Sequence, residues 1–105
     1  MGNDESREVG ENVEIGIGFY KRDQWGRLLE TASDRDALED TYDEWLSVFK
    51  DGVQKQKQAG LNPKMVVVDI EELLRFCKEN RLENDSETRS HFIALKLQTE
   101  GGEPL

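Results

Sequence analysis

The sequence predicts an α+β fold, mostly helical: three or four helices packed around a long central helix, with one or two short β-strands. Three observations carry this. Leu38, Tyr42, Trp45, Phe49 and Val53 recur at spacings of four, three, four and four, which lines them along one face of a helix of about six turns. Val13, Ile15, Ile17 and Phe19 alternate with Glu14, Gly16, Gly18 and Tyr20, the period of a strand with one buried face. Val66-Val67-Val68 places three β-branched residues together, a second strand signal.

The elements follow in chain order. Met1 to Asn12 holds Asp4, Glu5, Glu8 and Glu11 against Arg7 alone and is expected to be a disordered acidic tail. In the Val13–Phe19 strand, Gly16 and Gly18 leave one face nearly bare, so that a helix, a ligand or another backbone can come close. Lys21–Ala32 reads as a short helix, with Asp23 as its cap and Trp25, Leu28, Leu29 and Ala32 at helical spacing. Ser33–Asp36 turns the chain into the long helix, expected from Asp36 to Gln58. Glu39, Asp40, Asp43 and Glu44 lie early in it and Lys50, Lys55 and Lys57 late, the order that the helix dipole favours. Gly60 and Pro63 end it.

Asn62–Asp69 contains the second strand, whose lack of alternation predicts cover on both faces. Asp69 and Glu72 then form a capping box for a helix carrying Ile70, Leu73, Leu74 and Cys77 on one side. Asn84 or Ser86 starts a last helix with Phe92, Leu95 and Thr99 on one side, expected to end near Gln98. Gly101, Gly102 and Pro104 mark a flexible end. The expected organisation is therefore an N-terminal tail over 1–12, a single small globular domain over 13–99 and a C-terminal tail over 100–105. If the two strands pair with each other, the two helices between them form a large crossover. If they do not, their edges are open to a partner.

Composition narrows the function classes. The net charge is -9, with 23 acidic residues, and no segment is basic. A grip on phosphate backbones needs a local excess of Lys and Arg, so a nucleic-acid partner is not expected, nor is an anionic membrane surface. No run approaches the roughly 20 apolar residues of a membrane span. The start is polar and acidic rather than leader-like, and the single cysteine, Cys77, forms no intrachain disulfide, so the cytoplasm is the expected location.

Chemistry is sparsely signalled. His91 and Cys77 are the only imidazole and thiol, too few for a structural zinc site, and no calcium-loop pattern occurs. Cys77 falls on an apolar helix face, where a thiol is inert. No catalytic residue, cofactor site or metal site is assigned. The expected role is a non-catalytic protein-interaction or regulatory module. The alternative is a small enzyme with an unrecognised carboxylate or Cys77–His91 site. The expected partner is another protein or a second copy of the chain. Tyr42, Trp45, Val66 and Val68 are the candidate contact residues, the first two as flat rings with a polar handle and the valines as an open strand edge.

Overall fold

A computed structural model describes residues 13–105; the N-terminal tail expected over 1–12 lies outside the described residues. Among the described residues the fold is mostly helical α+β, with four helices and a small three-stranded sheet. Strand β1 (Glu14–Phe19) lies parallel to β2 (Asn62–Val67), so the two strand segments do pair with each other. Between them run α1 (Arg22–Thr31), a 3-10 turn at Arg35–Ala37 and α2 (Tyr42–Gln58). Helices α3 (Ile70–Asn80) and α4 (Ser86–Glu100) follow β2. A two-residue strand, β3 (Glu103–Pro104), then pairs antiparallel with Lys64 and Met65, giving the order β1-β2-β3.

The sheet separates two helical layers. Phe19 packs against Trp45 and Phe49 of α2, with ring centroids 5.6 and 5.2 Å apart. Alternation puts Ile15 and Ile17 on that same face. A Cβ added to Gly16 or Gly18 would instead meet Ile93 and Leu97 of α4, so α4 covers the opposite face. The core joins the layers beyond the end of β1. Tyr20, Trp25, Leu28, Trp45, Val68, Ile70, Leu73, Cys77 and Phe92 form one buried cluster.

The long helix starts later than its apolar spacing suggests. Thr41 and Glu44 make a reciprocal capping box, with the Glu44 N–H donating to Thr41 Oγ1 and the Thr41 N–H donating to Glu44 Oε1. Upstream, Arg35 donates to the Leu38 carbonyl and to Asp40. These bonds hold Leu38–Thr41 in a non-helical connection, while Leu38 still packs on the core. Helix α1 starts at Arg22 behind Lys21, with no side-chain cap, so Asp23 lies inside its first turn. Helix α3 is capped by Asp69, and α4 by Asp85 rather than by Asn84 or Ser86.

Three further expectations are corrected. The valine run alternates after all: Val66 and Val68 are buried, while Val67 is 39% exposed. Trp45 and Phe49 lie over Phe19, one strand away, and leave Val67 uncovered. Leu82 is the apolar residue of the 81–85 loop, which predicts that it anchors the loop inward, yet it is 42% exposed. The 100–105 segment, expected to be flexible, is tied back by β3. Gly102 fits there because even a Cβ would come within 2.9 Å of Lys64 Cβ and the Met65 carbonyl.

Candidate interaction edge

The outer side of β1 is built by its hydrogen-bond parity. The Asn62 N–H donates to the Val13 carbonyl and the Val68 N–H to the Phe19 carbonyl, both at 2.9 Å. In a parallel ladder every second residue turns both of its backbone groups to the partner strand. The odd residues of β1 therefore face β2, and Glu14, Gly16, Gly18 and Tyr20 hold their N–H and C=O groups toward the outside. Among the described residues β1 pairs with β2 alone. Tyr20 closes the row: its carbonyl accepts a hydrogen bond from the Tyr42 hydroxyl at 2.6 Å.

This outer row is the floor of a groove of about 560 Å3. One wall is α2 at Gly52 and Gln56, and the other is α4 at Ser90, Ala94 and Leu97. Among the described residues, Glu14 is the one charged residue lining it. The walls are low. Gly52 has open space where a Cβ would stand, and Ser90 and Ala94 are small and exposed. One turn from Gly52, Val48 is 52% exposed on the same side of α2. The groove is thus apolar and thin-walled, and it presents at its base peptide groups that no strand pairs among the described residues.

The opposite edge of the sheet is built differently. There β3 covers part of β2, ends in a proline without an N–H, and sits beside Lys64, devices that blunt an edge against further pairing. Nothing comparable stands in β1, whose sequence Glu-Ile-Gly-Ile-Gly-Phe has neither lysine nor proline.

The start of α4 holds the most concentrated polar chemistry. Arg89 is only 6% exposed. It donates to both carboxylate oxygens of Asp34, at 3.0 and 2.7 Å, and to the Asn84 carbonyl and Asn84 Oδ1 at 3.1 and 3.0 Å. The Ser86 N–H adds a bond to Asp34 Oδ2, and the Asn84 amide donates to Thr31. The Arg89 guanidinium bonded to Asp34 holds that carboxyl below the usual carboxylate range. Both terminal nitrogens of the guanidinium are committed, so this is a lock between the 33–38 connection and α4. An arginine in so acidic a sequence is expected in a surface or core-rim ion pair, and Arg89 makes its pair with Asp34 at the buried start of α4.

Tyr42, Trp45, Val66 and Val68 do not form a surface. Trp45, Val66 and Val68 are 8%, 3% and 1% exposed. Tyr42 is half-buried against Trp25 and Trp45, with Arg22 over its ring and its hydroxyl committed to Tyr20. The residues that sequence reading passes over are Gly52, Ser90 and Ala94. Their signal is weak because they are small, and only the chain fold sets them beside β1. Gly16 and Gly18 are legible: the bare face predicted for them receives α4.

Cys77 is buried, and burial pushes its thiol pKa up, away from the reactive thiolate. His91 is exposed on α4, its ring 6.0 Å from that of Phe76. Among the described residues no group of three His, Cys, Asp or Glu side chains is placed to hold a metal ion, and no helix is long and apolar enough to cross a membrane. Comparison of the chain with protein families, with characterised proteins and with solved structures finds no match.

Proposed function

We propose that this chain is a non-catalytic protein-interaction module, and that it binds by adding an extended segment to the outer edge of β1. The observation that supports this is the unpaired row at Glu14, Gly16 and Gly18 on the floor of an apolar groove. Strand addition takes its affinity from main-chain hydrogen bonds and its specificity from alternate side chains set against the walls. An unguarded apolar edge is what proteins otherwise avoid exposing. The low walls at Gly52, Ser90 and Ala94 suit the passage of a second backbone.

The test is a selection of displayed extended segments against the chain, followed by titration of the best synthetic peptide into isotopically labelled protein. The expected result is movement of the Gly16 and Gly18 amide resonances, with binding lost in Ala94→Lys. That substitution places a charged stem in the groove at an exposed helical position. Failure to select any segment, or movement confined to another surface, rejects the reading.

A further inference from the structure

Resting on the strand-addition reading, we infer that the occupant of the β1 edge is a segment of another protein that is apolar at consecutive positions and carries Lys or Arg at its flanks. A strand added beside β1 points alternate side chains to the α2 side and to the α4 side. Both sides hold apolar area that the chain itself covers only in part. Ile15 and Ile17 line the groove on the α2 side, and Ile93 and Leu97 line it on the α4 side. All four are half-buried. A strand with one wet face alternates apolar and polar residues, whereas a strand covered on both faces is apolar throughout. The groove is walled on both sides, so its occupant is of the second kind.

The lining agrees with this. Opposite Gly16 and Gly18 an added residue meets no cross-strand side chain, so its own can lean across toward Ile93 and Leu97. On the other wall Gly52 leaves open space. Among the described residues Gln56 and Ser90 are the uncharged polar side chains of the walls, one on each helix. Two such groups are too few to satisfy a polar face, and a polar side chain set against the apolar lining would lose its water without a partner.

Charge sets the flanks. The chain carries -9 overall. Arg22, Arg27, Arg35, Arg89 and Lys96 each have a carboxylate oxygen within 3.1 Å, so the surplus acid dominates the field that an approaching segment meets. Among the described residues Glu14 is the one charge lining the groove, and Lys64 approaches its carboxylate only to 4.0 Å. Glu14 stands at the N-terminal end of β1, where it attracts a basic flank and repels an acidic one. Residues 1–12 hold four carboxylates and Val9 as their one β-branched residue, so the chain's own N-terminal sequence does not answer this description.

The experiment is titration of three synthetic peptides of equal length into the isotopically labelled full chain, at low and at high salt. The first has about five consecutive Val, Ile and Leu residues, the length of an ordinary strand, between lysine pairs. The second keeps the lysines and replaces every other apolar residue with serine. The third keeps the continuous run but sets it between glutamate pairs. The first is expected to move the Gly16 and Gly18 amide resonances and to bind about tenfold tighter than either of the others, its lead over the third shrinking as salt rises. Glu14→Lys should narrow the gap between the first and third peptides about threefold and leave the ratio of the first to the second unchanged. Equal binding by the serine peptide at these amides overturns the inference, as does equal binding by the glutamate peptide, and strand addition then still stands. Binding of a display-selected segment at Gly16 and Gly18 with none by the first peptide has the same meaning. If neither these peptides nor any selected segment moves the two glycine amides, strand addition itself fails and this inference falls with it.

Discussion

The two faces of β1 are held by opposite means. On one face Ile15, Ile17 and Phe19 fill the space under α2, with Trp45 and Phe49 tilted against Phe19. On the other face Gly16 and Gly18 remove side chains so that Ile93 and Leu97 of α4 can come down onto the backbone. The aromatic face gains from area removed from water. The glycine face gains from close approach, buries less, and is reinforced by a polar lock at the start of α4, where Arg89 meets Asp34 and Asn84. Bulk on one side and absence on the other leave a strand whose outer edge is narrow and unobstructed.

The contrast is tested first at its heavy end. Trp45 touches Phe19, Tyr20, Trp25, Tyr42 and Phe49. Trp45→Ala should cost about 4 kcal/mol by chemical denaturation, as aromatic truncations in cores do. A loss under about 1 kcal/mol would mean that the aromatic face is not the main support.

Next is the lock. Arg89→Met removes the partner of a partly buried carboxylate and should cost about 3 kcal/mol. The double variant Asp34→Leu with Arg89→Met should lose less than the sum of the single changes, because the two groups act on each other. Strict additivity in a denaturation cycle would show that the bidentate geometry carries no coupling.

The glycine face predicts a smaller effect of unusual sign structure. A Cβ on Gly18 would collide with Ile93 Cδ1, the far end of a side chain that can turn away. Gly18→Val should therefore cost about 2 kcal/mol through overpacking. Ile93→Ala, destabilising alone, should recover part of that loss when combined with it. If Gly18→Val melts like the native chain, α4 does not rest on β1 in solution.

These expectations also mark what was legible in the sequence. The helix stripe, the period of two in β1 and the Asp69 cap are local patterns, and each led to the right element. The long helix starts at Tyr42 and not at the Asp36 its spacing predicts. Leu38 keeps the helical spacing for tertiary reasons, while the Thr41–Glu44 capping box decides where the backbone turns helical. Tyr42, Trp45, Val66 and Val68 are candidate contacts only because a sequence shows an apolar residue without showing what covers it; the helix stripe already favours Tyr42 and Trp45 as core, and Trp45, Val66 and Val68 are buried. The groove was not legible. It depends on which backbone groups face outward, a parity that appears only once β1 is known to pair with β2. Its walls come from Gly52 and Ala94, far apart in sequence and chemically plain.

Acid should weaken the lock in a predictable direction. Asp34 has its pKa lowered by the hydrogen bonds from Arg89. Its contribution is complete above the unfolded-state value of about 3.9 and is lost as pH falls through the lower folded-state value. The melting temperature should fall below about pH 4, and Asp34→Asn should lower it at neutral pH while flattening part of the acid decline. An unchanged acid slope would show that the carboxylate is not charge-paired in solution.

The smallest effect distinguishes two glycines with the same local surroundings. Gly26 in α1 and Gly52 in α2 each have open space where a Cβ would stand. Neither is required by packing within the chain, so each weakens its helix, and alanine should stabilise either site by about 0.5–1 kcal/mol. Gly26 is outside the groove and Gly52 is on its wall. For Gly26→Ala the rise in melting temperature should be the same with and without a bound extended segment. For Gly52→Ala it should be full in the free chain and shrink when the selected segment is added, because the new methyl group meets the added strand. Equal gains for both variants under both conditions would mean that nothing approaches α2 at Gly52, and the low wall would then be a cost to helix stability that no contact offsets.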